Sequence, residues 1–347
     1  MLTKMQKGVF FMISRKGRYT AFFDKEIKII GFSGVASKKE AEGPLGKEFD
    51  KIFYDPMAGK PTWEQAESVF QQEAIALALS KALLKAEDID YIFAGDLLNQ
   101  CISSSFGLKE FSIPYLGQYG ACSTMVQSLI MACVTLYSGI ARHCAAVTSS
   151  HFCSAERQYR FPLEYGGQRT PTAQWTVTAA GGCILGMRAG RYPVICHATV
   201  GKIIDMSITD ANNMGAAMAP AAADTILNFL EDTNTSPSDY DAIFTGDLGH
   251  TGVPLLYKLT REKGVDLTGH HFDCGMLIYD KETQDVHSGG SGCGCCASVL
   301  CSHILPSMME GRLNRILVVA TGALMSPTST QQGLSIPCIA HLVEIRI

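Results

Sequence analysis

The chain has 347 residues, of which 29 are Lys or Arg and 33 are Asp or Glu, so its formal net charge is −4. Hydrophobic residues make up 47% of the chain and charged residues 18%, which excludes an intrinsically disordered protein and indicates a large buried core. The slightly acidic balance, without a run of Lys or Arg, argues against nucleic-acid binding. The length suits two domains or one large two-lobed unit.

The thirteen cysteines lie mostly inside apolar stretches, as Cys133 and Cys183 do. We interpret them as buried free thiols rather than a disulfide scaffold. No signal peptide is predicted, because the apolar run Val9–Ile13 is short and basic residues follow it. The longest apolar stretch, Met125–Val147, contains polar interruptions and predicts a buried core helix rather than a transmembrane helix. We therefore expect a cytoplasmic protein or one that attaches peripherally to a membrane.

Two segments recur in the same order along the chain. Asp90–Leu97 and Asp241–Leu248 are identical at six of eight positions. Arg142–Ser149 and Arg315–Gly322 form a second pair, and each follows a long helical pattern of small residues. This recurrence indicates the duplication of one α/β unit. We divide the chain into an N-terminal half, residues 1–190, and a C-terminal half, residues 191–347.

Each half is predicted to run helix, buried strand, loop, helix, buried strand. Helical patterns cover Glu64–Leu84 and Ala216–Leu230. The short apolar runs that predict strands covered on both faces are Tyr91–Ala94, Ala145–Thr148, Ile243–Thr245 and Leu317–Ala320. Alternating helices and strands predict parallel or mixed sheets with right-handed crossovers. Two duplicated sheets with helices between them make a layered α/β sandwich, in which ligands bind at the carboxyl ends of strands.

The strongest candidate site is Tyr119–Thr124, where Gly120 and a small residue precede Cys122 and a helix follows. A cysteine at a helix N-terminus lies at the positive end of the helix dipole, which predicts a lowered thiol pKa. Backbone N–H groups at that position also suit an anion. The alternative is a small buried residue that packs a tight turn.

The corresponding segment of the second half is Gly289–Cys296, whose glycines permit close approach of a ligand. A zinc site is a minor alternative there, with ligands drawn from Cys274, His287, Cys293, Cys296, Cys301 and His303. Asp96 and Asp247 each end a duplicated strand, and each either faces a central cleft or caps a helix. Residues 148–178 are rich in Arg and aromatic residues. They form either a solvated loop or a carboxylate-binding loop that closes over Cys122.

A duplicated α/β half with a cysteine at a helix start resembles the thiolase superfamily. The chain is similar in particular to the stage V sporulation protein AD family of spore-forming bacteria. The segments that carry this resemblance are Glu42–Gly46, Ala94–Gln100, Gly120–Thr124, Thr148–Gln168, Ile208–Ile226, Gly289–Cys293, Gly311–Leu324 and Ile336–His341.

The resemblance implies a thiolase-like α/β/α/β/α sandwich and a role in spore formation. It implies binding of dipicolinic acid and its calcium complex, without catalysis, for uptake into the developing spore together with the membrane proteins of the SpoVA system. The protein would then lie in the cytoplasm or peripherally at the forespore or spore inner membrane, with no nucleic acid as partner and a possible homodimer. No cofactor is expected, apart from calcium that arrives with dipicolinate.

Asp247 stands where the condensing enzymes of the superfamily place a histidine, and a carboxylate beside a thiol raises its pKa. The ligand-binding residues implied by this resemblance are Cys122, Ser123, Asp96, His151, Glu156, Arg157, Arg160, Tyr165, Arg169, Asp247, Gly290 and Ser291. Calcium would take oxygen ligands from Asp96, Asp247 or Glu156. The alternative is a thiolase- or ketoacyl-synthase-type acyltransferase with Cys122 as nucleophile and His287 or His250 as base.

Overall fold

The computed structural model describes residues 14–159 and 168–347. Its strands are β1 Ser14–Lys16, β2 Thr20–Ser37, β3 Lys51–Phe53, β4 Tyr91–Gly95, β5 Tyr115–Gly117, β6 His143–Ser150, β7 Trp175–Thr176, β8 Ala179–Gly186, β9 Val194–Thr199, β10 Ala242–Thr245, β11 His271–Asp273, β12 Gly290–Ser291, β13 Arg315–Ala323 and β14 Cys338–Arg346. Its α-helices are α1 Lys38–Ala41, α2 Trp63–Ala82, α3 Ile102–Leu108, α4 Thr124–Ser138, α5 Phe152–Tyr159, α6 Met214–Thr233, α7 Gly249–Arg261, α8 Cys274–Leu277, α9 Cys293–Val299, α10 Leu305–Met309 and α11 Pro327–Gln331.

The ends of two long helices follow from local chemistry. Helix α2 begins at Trp63 because the Thr62 side chain accepts a hydrogen bond from the Gln65 N–H. Helix α4 ends at Ser138 because Gly139 adopts the left-handed conformation, with φ of 80°. The prediction of one core helix over Met125–Val147 was therefore wrong, since this stretch contains a helix and then the buried strand β6.

The main sheet has two five-stranded parts of the same construction. The first part runs β5-β4-β6-β8-β2 and the second runs β11-β10-β13-β14-β9. In each part the first three strands are mutually parallel, and the last two pair antiparallel. The parts join edge to edge through β2 and β9. The division near residue 190 falls between β8 and β9 and remains a prediction, because one continuous sheet crosses it.

Helices cover both parts of the sheet and fill the space between them. Helix α2 packs on β2 and β8 on one side, and α6 packs on β13 and β14 on the other. Helices α4 and α9 lie in the middle, where α4 contacts strands of both parts. The largest buried apolar cluster surrounds this middle layer. The order helix, sheet, helix, sheet, helix confirms the predicted layered α/β sandwich.

One helical segment among the described residues, Ala121–Ser138, is long and apolar enough to cross a bilayer by composition alone. Within the fold it occupies the middle layer, and 67% of it is buried inside the protein. Its apolar character is thus explained by packing between the two parts of the sheet.

Candidate functional site

Cys122 and Asp247 meet where the two halves of the fold face each other. Asp247 follows β10, and its carboxylate is fully buried. One oxygen accepts a hydrogen bond of 2.7 Å from the Thr321 hydroxyl, and the other accepts one of 3.0 Å from the Gly292 N–H. The charge of this carboxylate also acts on the Cys122 thiol and raises its pKa. The helix-start cysteine and the aspartate that the resemblance places beside it therefore form one site.

A tight backbone turn presents the Cys122 side chain. Ala121 has a positive φ of 52°, a conformation that costs energy for a residue with a side chain. Gly322 on β13 approaches this turn so closely that a Cβ at its position would lie 2.5 Å from the Gly120 oxygen. The small residues on both sides of the turn are thus required by the contact between the halves.

The Cys122 thiol is held in its neutral form. Burial, and next the neighbouring Asp247 charge, raise the pKa of Cys122 well above its ordinary value. The lowered pKa that we predicted from the helix dipole was therefore wrong, and the rise expected from a neighbouring carboxylate is confirmed. Burial also raises the pKa of Asp247 to about 6, so the carboxylate is mostly ionised at neutral pH. A neutral thiol beside a carboxylate is a poor nucleophile.

The cavity beside Cys122 is small and mostly apolar. Its lining residues are Leu97, Ala121, Cys122, Ala155, Tyr159, Thr176, Met214, Ser291, Ala323 and Met325. Its volume is about 40 Å³, close to the space of one water molecule and far below that of a typical small-molecule site. A ligand larger than water therefore needs side chains at the cavity mouth to move.

Asp96 belongs to a separate buried network. Its carboxylate accepts hydrogen bonds from the N–H groups of Leu98 and Ser104 and from the Ser104 hydroxyl, at 2.6 to 2.9 Å. Gln71 links the Ser104 hydroxyl to that of Ser149, which donates to Glu67. Burial, and next the Asp96 charge, raise the pKa of Glu67 to about 8. Sequence reasoning missed Glu67, because its distance of 29 positions from Asp96 gives no signal.

The two predicted arginines that the structure describes make their contacts elsewhere. Arg157 is paired with Glu64 and lies over the Trp63 ring, in an open groove of about 640 Å³. Arg169 lies over Trp175 and is 3.5 Å from the Asp285 carboxylate. Arg160 and Tyr165 lie outside the described residues.

The two other predicted residues of the loop that we expected over Cys122 are buried. His151 points one ring nitrogen at the Pro56 oxygen, at 3.0 Å, and the other at the Cys153 N–H. Glu156 accepts a hydrogen bond from the Thr176 hydroxyl at 3.3 Å. Glu156 therefore contacts a residue that lines the Cys122 cavity, whereas His151 makes contacts away from it.

The remaining predicted residues serve the turn and the strand around the site. The Ser123 hydroxyl donates to the Gly120 oxygen at 2.7 Å, so it stabilises the turn. Gly290 and Ser291 form β12, which pairs with β7, and Ser291 lines the cavity. This strand supplies Gly292, whose N–H group binds Asp247.

The two histidines proposed as bases have other partners. His287 places one ring nitrogen 2.7 Å from the Thr170 oxygen and the other 3.0 Å from the Asp285 carboxylate. Burial, and next the Lys281 charge, lower the pKa of His250. Asp247 is the charged group that acts most strongly on the Cys122 thiol.

The described residues contain no group of three or more His, Cys, Asp or Glu side chains arranged to hold a metal ion. The zinc alternative is therefore unsupported, and all thirteen cysteines are free thiols. Asp96, Asp247 and Glu156 do not form one calcium site of protein ligands, because each is bonded to a different set of neighbours.

Comparison with known proteins identifies the family. The model of the stage V sporulation protein AD (SpoVAD) family matches residues 17–346. The chain belongs to the stage V sporulation protein AD family. It is 45% identical over 325 residues to the stage V sporulation protein AD of Bacillus subtilis (strain 168), covering 94% of this chain and 96% of that protein. As a member of the SpoVAD family, the chain is a sporulation protein.

Solved structures of distant relatives share the fold of this SpoVAD family member. Cerulenin-bound OleA from Xanthomonas campestris matches with a TM-score of 0.60 at 14% identity, over 97% of this chain and all of that one. The 3-oxoacyl-[acyl-carrier-protein] synthase III of Aquifex aeolicus VF5 matches with a TM-score of 0.56 at 14% identity, over 92% of this chain and all of that one. At this identity the likeness concerns the fold alone, and it confirms the thiolase-like architecture.

Proposed function

We propose that this sporulation protein binds dipicolinic acid and its calcium complex without chemical change, for uptake into the developing spore. It would act with the membrane proteins of the SpoVA system and attach peripherally to the spore inner membrane. The family match supports the role in sporulation. The observation that carries the absence of catalysis is the buried Asp247 carboxylate, whose charge raises the pKa of the Cys122 thiol.

The environment of Cys122 is unsuited to acyl transfer. Nucleophilic catalysis needs a thiolate or a base that removes the thiol proton in the transition state. Here burial and the Asp247 charge both favour the neutral thiol. Cys293, which packs in the same small cluster, directs its own thiol to the Ser149 oxygen at 2.9 Å. The site thus keeps the fold position of a nucleophile and lacks the means to activate it.

The charge of Asp247 also determines which form of the ligand this site prefers. Free dipicolinate is a dianion at neutral pH, and an ionised carboxylate beside it is repulsive. The calcium complex carries no net charge, so it escapes most of this repulsion, and its metal can accept a carboxylate oxygen. We therefore expect the cavity beside Cys122 to favour the calcium complex over free dipicolinate.

Binding at this cavity requires its mouth to widen. Met214 and Met325 line it, and both are only partly buried. Methionine side chains are unbranched and flexible, so they can rearrange at low energetic cost. Tyr159 lies at the same cavity and offers an aromatic face to a flat ring.

Calorimetric titration tests this proposal. Dipicolinate is added to the full chain with and without calcium chloride, and the titrations are repeated with the D247N variant. We expect the calcium complex to bind the unaltered protein at least about tenfold more tightly than free dipicolinate does. In D247N the ratio of these two affinities should be smaller. The exposed Asp266 provides a matched control, because D266N removes a carboxylate far from Cys122. Absence of saturable binding by either form would contradict the proposal.

Acyl transfer remains a second candidate because Cys122 occupies a strained turn at the start of a helix. The positive φ of Ala121 is the observation in its favour, since such strain is common at catalytic nucleophiles. His287 would have to leave its present contacts to act as a base, and the pKa of His250, the other candidate base, is lowered chiefly by burial. Rapid stoichiometric acylation of Cys122 by an acyl-CoA would support this candidate.

A further inference from the structure

A second cavity lies on the side of β7 that faces away from Cys122. Trp175 and Thr176 are consecutive residues of β7, so their side chains point to opposite sides of the strand. Thr176 lines the Cys122 cavity, whereas Trp175 lines a cavity of about 370 Å³. That volume falls within the range of small-molecule sites. The second cavity therefore has the room that the Cys122 cavity lacks.

An aromatic pair and Lys39 line this second cavity, and Arg169 lies over the same Trp175 ring, with one of its nitrogens donating to the Asp285 backbone oxygen. The Phe152 ring stacks on Trp175, with centroids 3.8 Å apart and planes inclined by 11°. The Lys39 ammonium lies 4.2 Å from the Trp175 ring centroid, and the Arg169 guanidinium carbon lies 4.7 Å from it. Burial, and next the Arg169 charge, lower the pKa of Lys39. Two like charges held this close are relieved when an anion lies between them.

Two buried polar atoms at this place have no hydrogen-bond partner among the described residues. One is Nη1 of Arg169, and the other is Oε2 of Glu40, which lines the cavity and is fully buried. Buried polar groups are rarely left unpaired, so each such atom calls for an explanation. Burial raises the pKa of Glu40, which favours the neutral acid, and a neutral acid can donate a hydrogen bond to a carboxylate.

Apart from Glu40, whose raised pKa favours the neutral acid, the other charges nearby offset those of Lys39 and Arg169 only in part. Lys38 and Glu42 lie 3.9 Å apart at the rim and largely cancel each other. Asp285 lies 3.5 Å from Arg169, but its own carboxylate is 82% exposed to solvent. An exposed carboxylate is well screened, so it neutralises Arg169 only in part.

We propose that the cavity between Lys39, Trp175 and Phe152 binds a planar aromatic carboxylate, with its carboxylate group held by Lys39 and Arg169. The ring of the ligand lies against the exposed edges of Phe152 and Trp175, and the Arg169 fork supplies directed donors to the carboxylate. Dipicolinate is one member of this ligand class. The inference does not rest on the proposed function, because benzoate tests the site without it.

Intrinsic fluorescence gives a local readout. The chain has two tryptophans, Trp63 and Trp175. Trp63 lies by Arg157 at a different groove, so the W63F variant leaves Trp175 as the single reporter. Benzoate is titrated into W63F, and neutral benzamide serves as the ligand control. We expect saturable quenching of Trp175 by benzoate and little or none by benzamide.

Three further variants on the W63F background test the cations. K39Q and R169Q should each weaken benzoate binding at least about tenfold, because each removes a charge-assisted hydrogen bond. K85Q is the matched control, since Lys85 is exposed, pairs with Glu87 and does not line the cavity, and the benzoate affinity of this variant should change less than about twofold. R169K keeps the charge but not the fork, and it should give an intermediate affinity even if R169Q folds poorly.

Two outcomes would overturn the inference. One is that millimolar benzoate does not quench the fluorescence of W63F, or that it quenches it with an affinity that K39Q and R169K leave unchanged. The other is a benzoate affinity that responds to D247N and not to K39Q, which would place the ligand in the Cys122 cavity. Because dipicolinate binding is measured separately, loss of the proposed function and loss of this site are distinguishable.

Discussion

The buried Asp247 carboxylate acts on the Cys122 thiol across the interface between the two halves of the fold, and its charge raises the pKa of that thiol. The same carboxylate is bound to Thr321 on β13 and to the N–H group of Gly292 before α9. Asp247 therefore links the cysteine turn of the first half to two elements of the second half. A residue in that position stabilises the neutral thiol and the contact between the halves together.

We expect Cys122 to react slowly with iodoacetamide near pH 8, because its thiol is buried beside a negative charge. In D247N that charge is gone, and the alkylation rate should rise, by about tenfold for each unit that the thiol pKa falls. Mass spectrometry of the Cys122 peptide measures the rate. Cys153, which is less buried, serves as an internal control within the same digest. An unchanged or slower rate in D247N would show that Asp247 does not hold the thiol neutral.

The contact between Gly322 and the cysteine turn should tolerate no side chain. A Cβ at Gly322 would lie 2.5 Å from the Gly120 oxygen and 3.1 Å from the Ser123 nitrogen. We expect G322A to lower the free energy of unfolding by about 1 to 3 kcal/mol, as overpacking commonly does. Gly246 is the matched control, because its nearest neighbours would be an ordinary 3.4 Å away. Equal urea-unfolding midpoints for G322A and G246A would contradict this account of the turn.

The buried Glu67 should make the protein less stable as the pH rises. The pKa of Glu67 is about 8 in the folded chain against 4.5 for the free side chain. Between these pH values Glu67 is therefore ionised in the unfolded chain and still protonated in the folded chain. Ionisation of the unfolded chain lowers the free energy of unfolding as the pH increases, and the decline ends above about pH 8. Between pH 6.5 and 8 the loss attributable to Glu67 is up to about 2 kcal/mol.

The E67Q variant tests this pH dependence, because glutamine keeps the shape and cannot ionise. Urea unfolding at about pH 6.5 and 8 should show a smaller loss in E67Q than in the unaltered protein. Asp247, whose pKa is about 6, contributes little in this window. E87Q is the control, since Glu87 is exposed on the surface. A loss of equal size in E67Q would mean that Glu67 is already ionised in the folded protein.

The sequence predicted the duplicated strands well because their pattern is local. The repeated segments around Asp96 and Asp247 correspond to β4 and β10, and each strand ends within one residue of the predicted end. Composition alone extended one core helix over Met125–Val147, although the repeat had already placed a strand at Ala145–Thr148. The helix ends at Ser138, before the recognisable helix end Gly139, and residues 139–142 separate it from β6.

The site was predicted in part. The pairing of Cys122 with Asp247 followed from the resemblance to the condensing enzymes, which place a histidine where this chain has Asp247. The contacts of Arg157 and Arg169 were not predicted, because long-range packing determines their partners Glu64, Trp63 and Trp175. For the same reason no pattern in the sequence indicates that Lys39 and Arg169, 130 positions apart, both lie over the Trp175 ring.

The central claim is that the chain binds dipicolinate reversibly and leaves Cys122 unacylated. Native mass spectrometry of one sample, containing the protein, calcium, dipicolinate and an acyl-CoA, tests both parts in one spectrum. We predict a dipicolinate adduct that disappears when the protein is denatured, and no covalent increment on the Cys122 peptide. An acyl increment that survives denaturation and maps to Cys122, without a dipicolinate adduct, would contradict the account and support an acyltransferase.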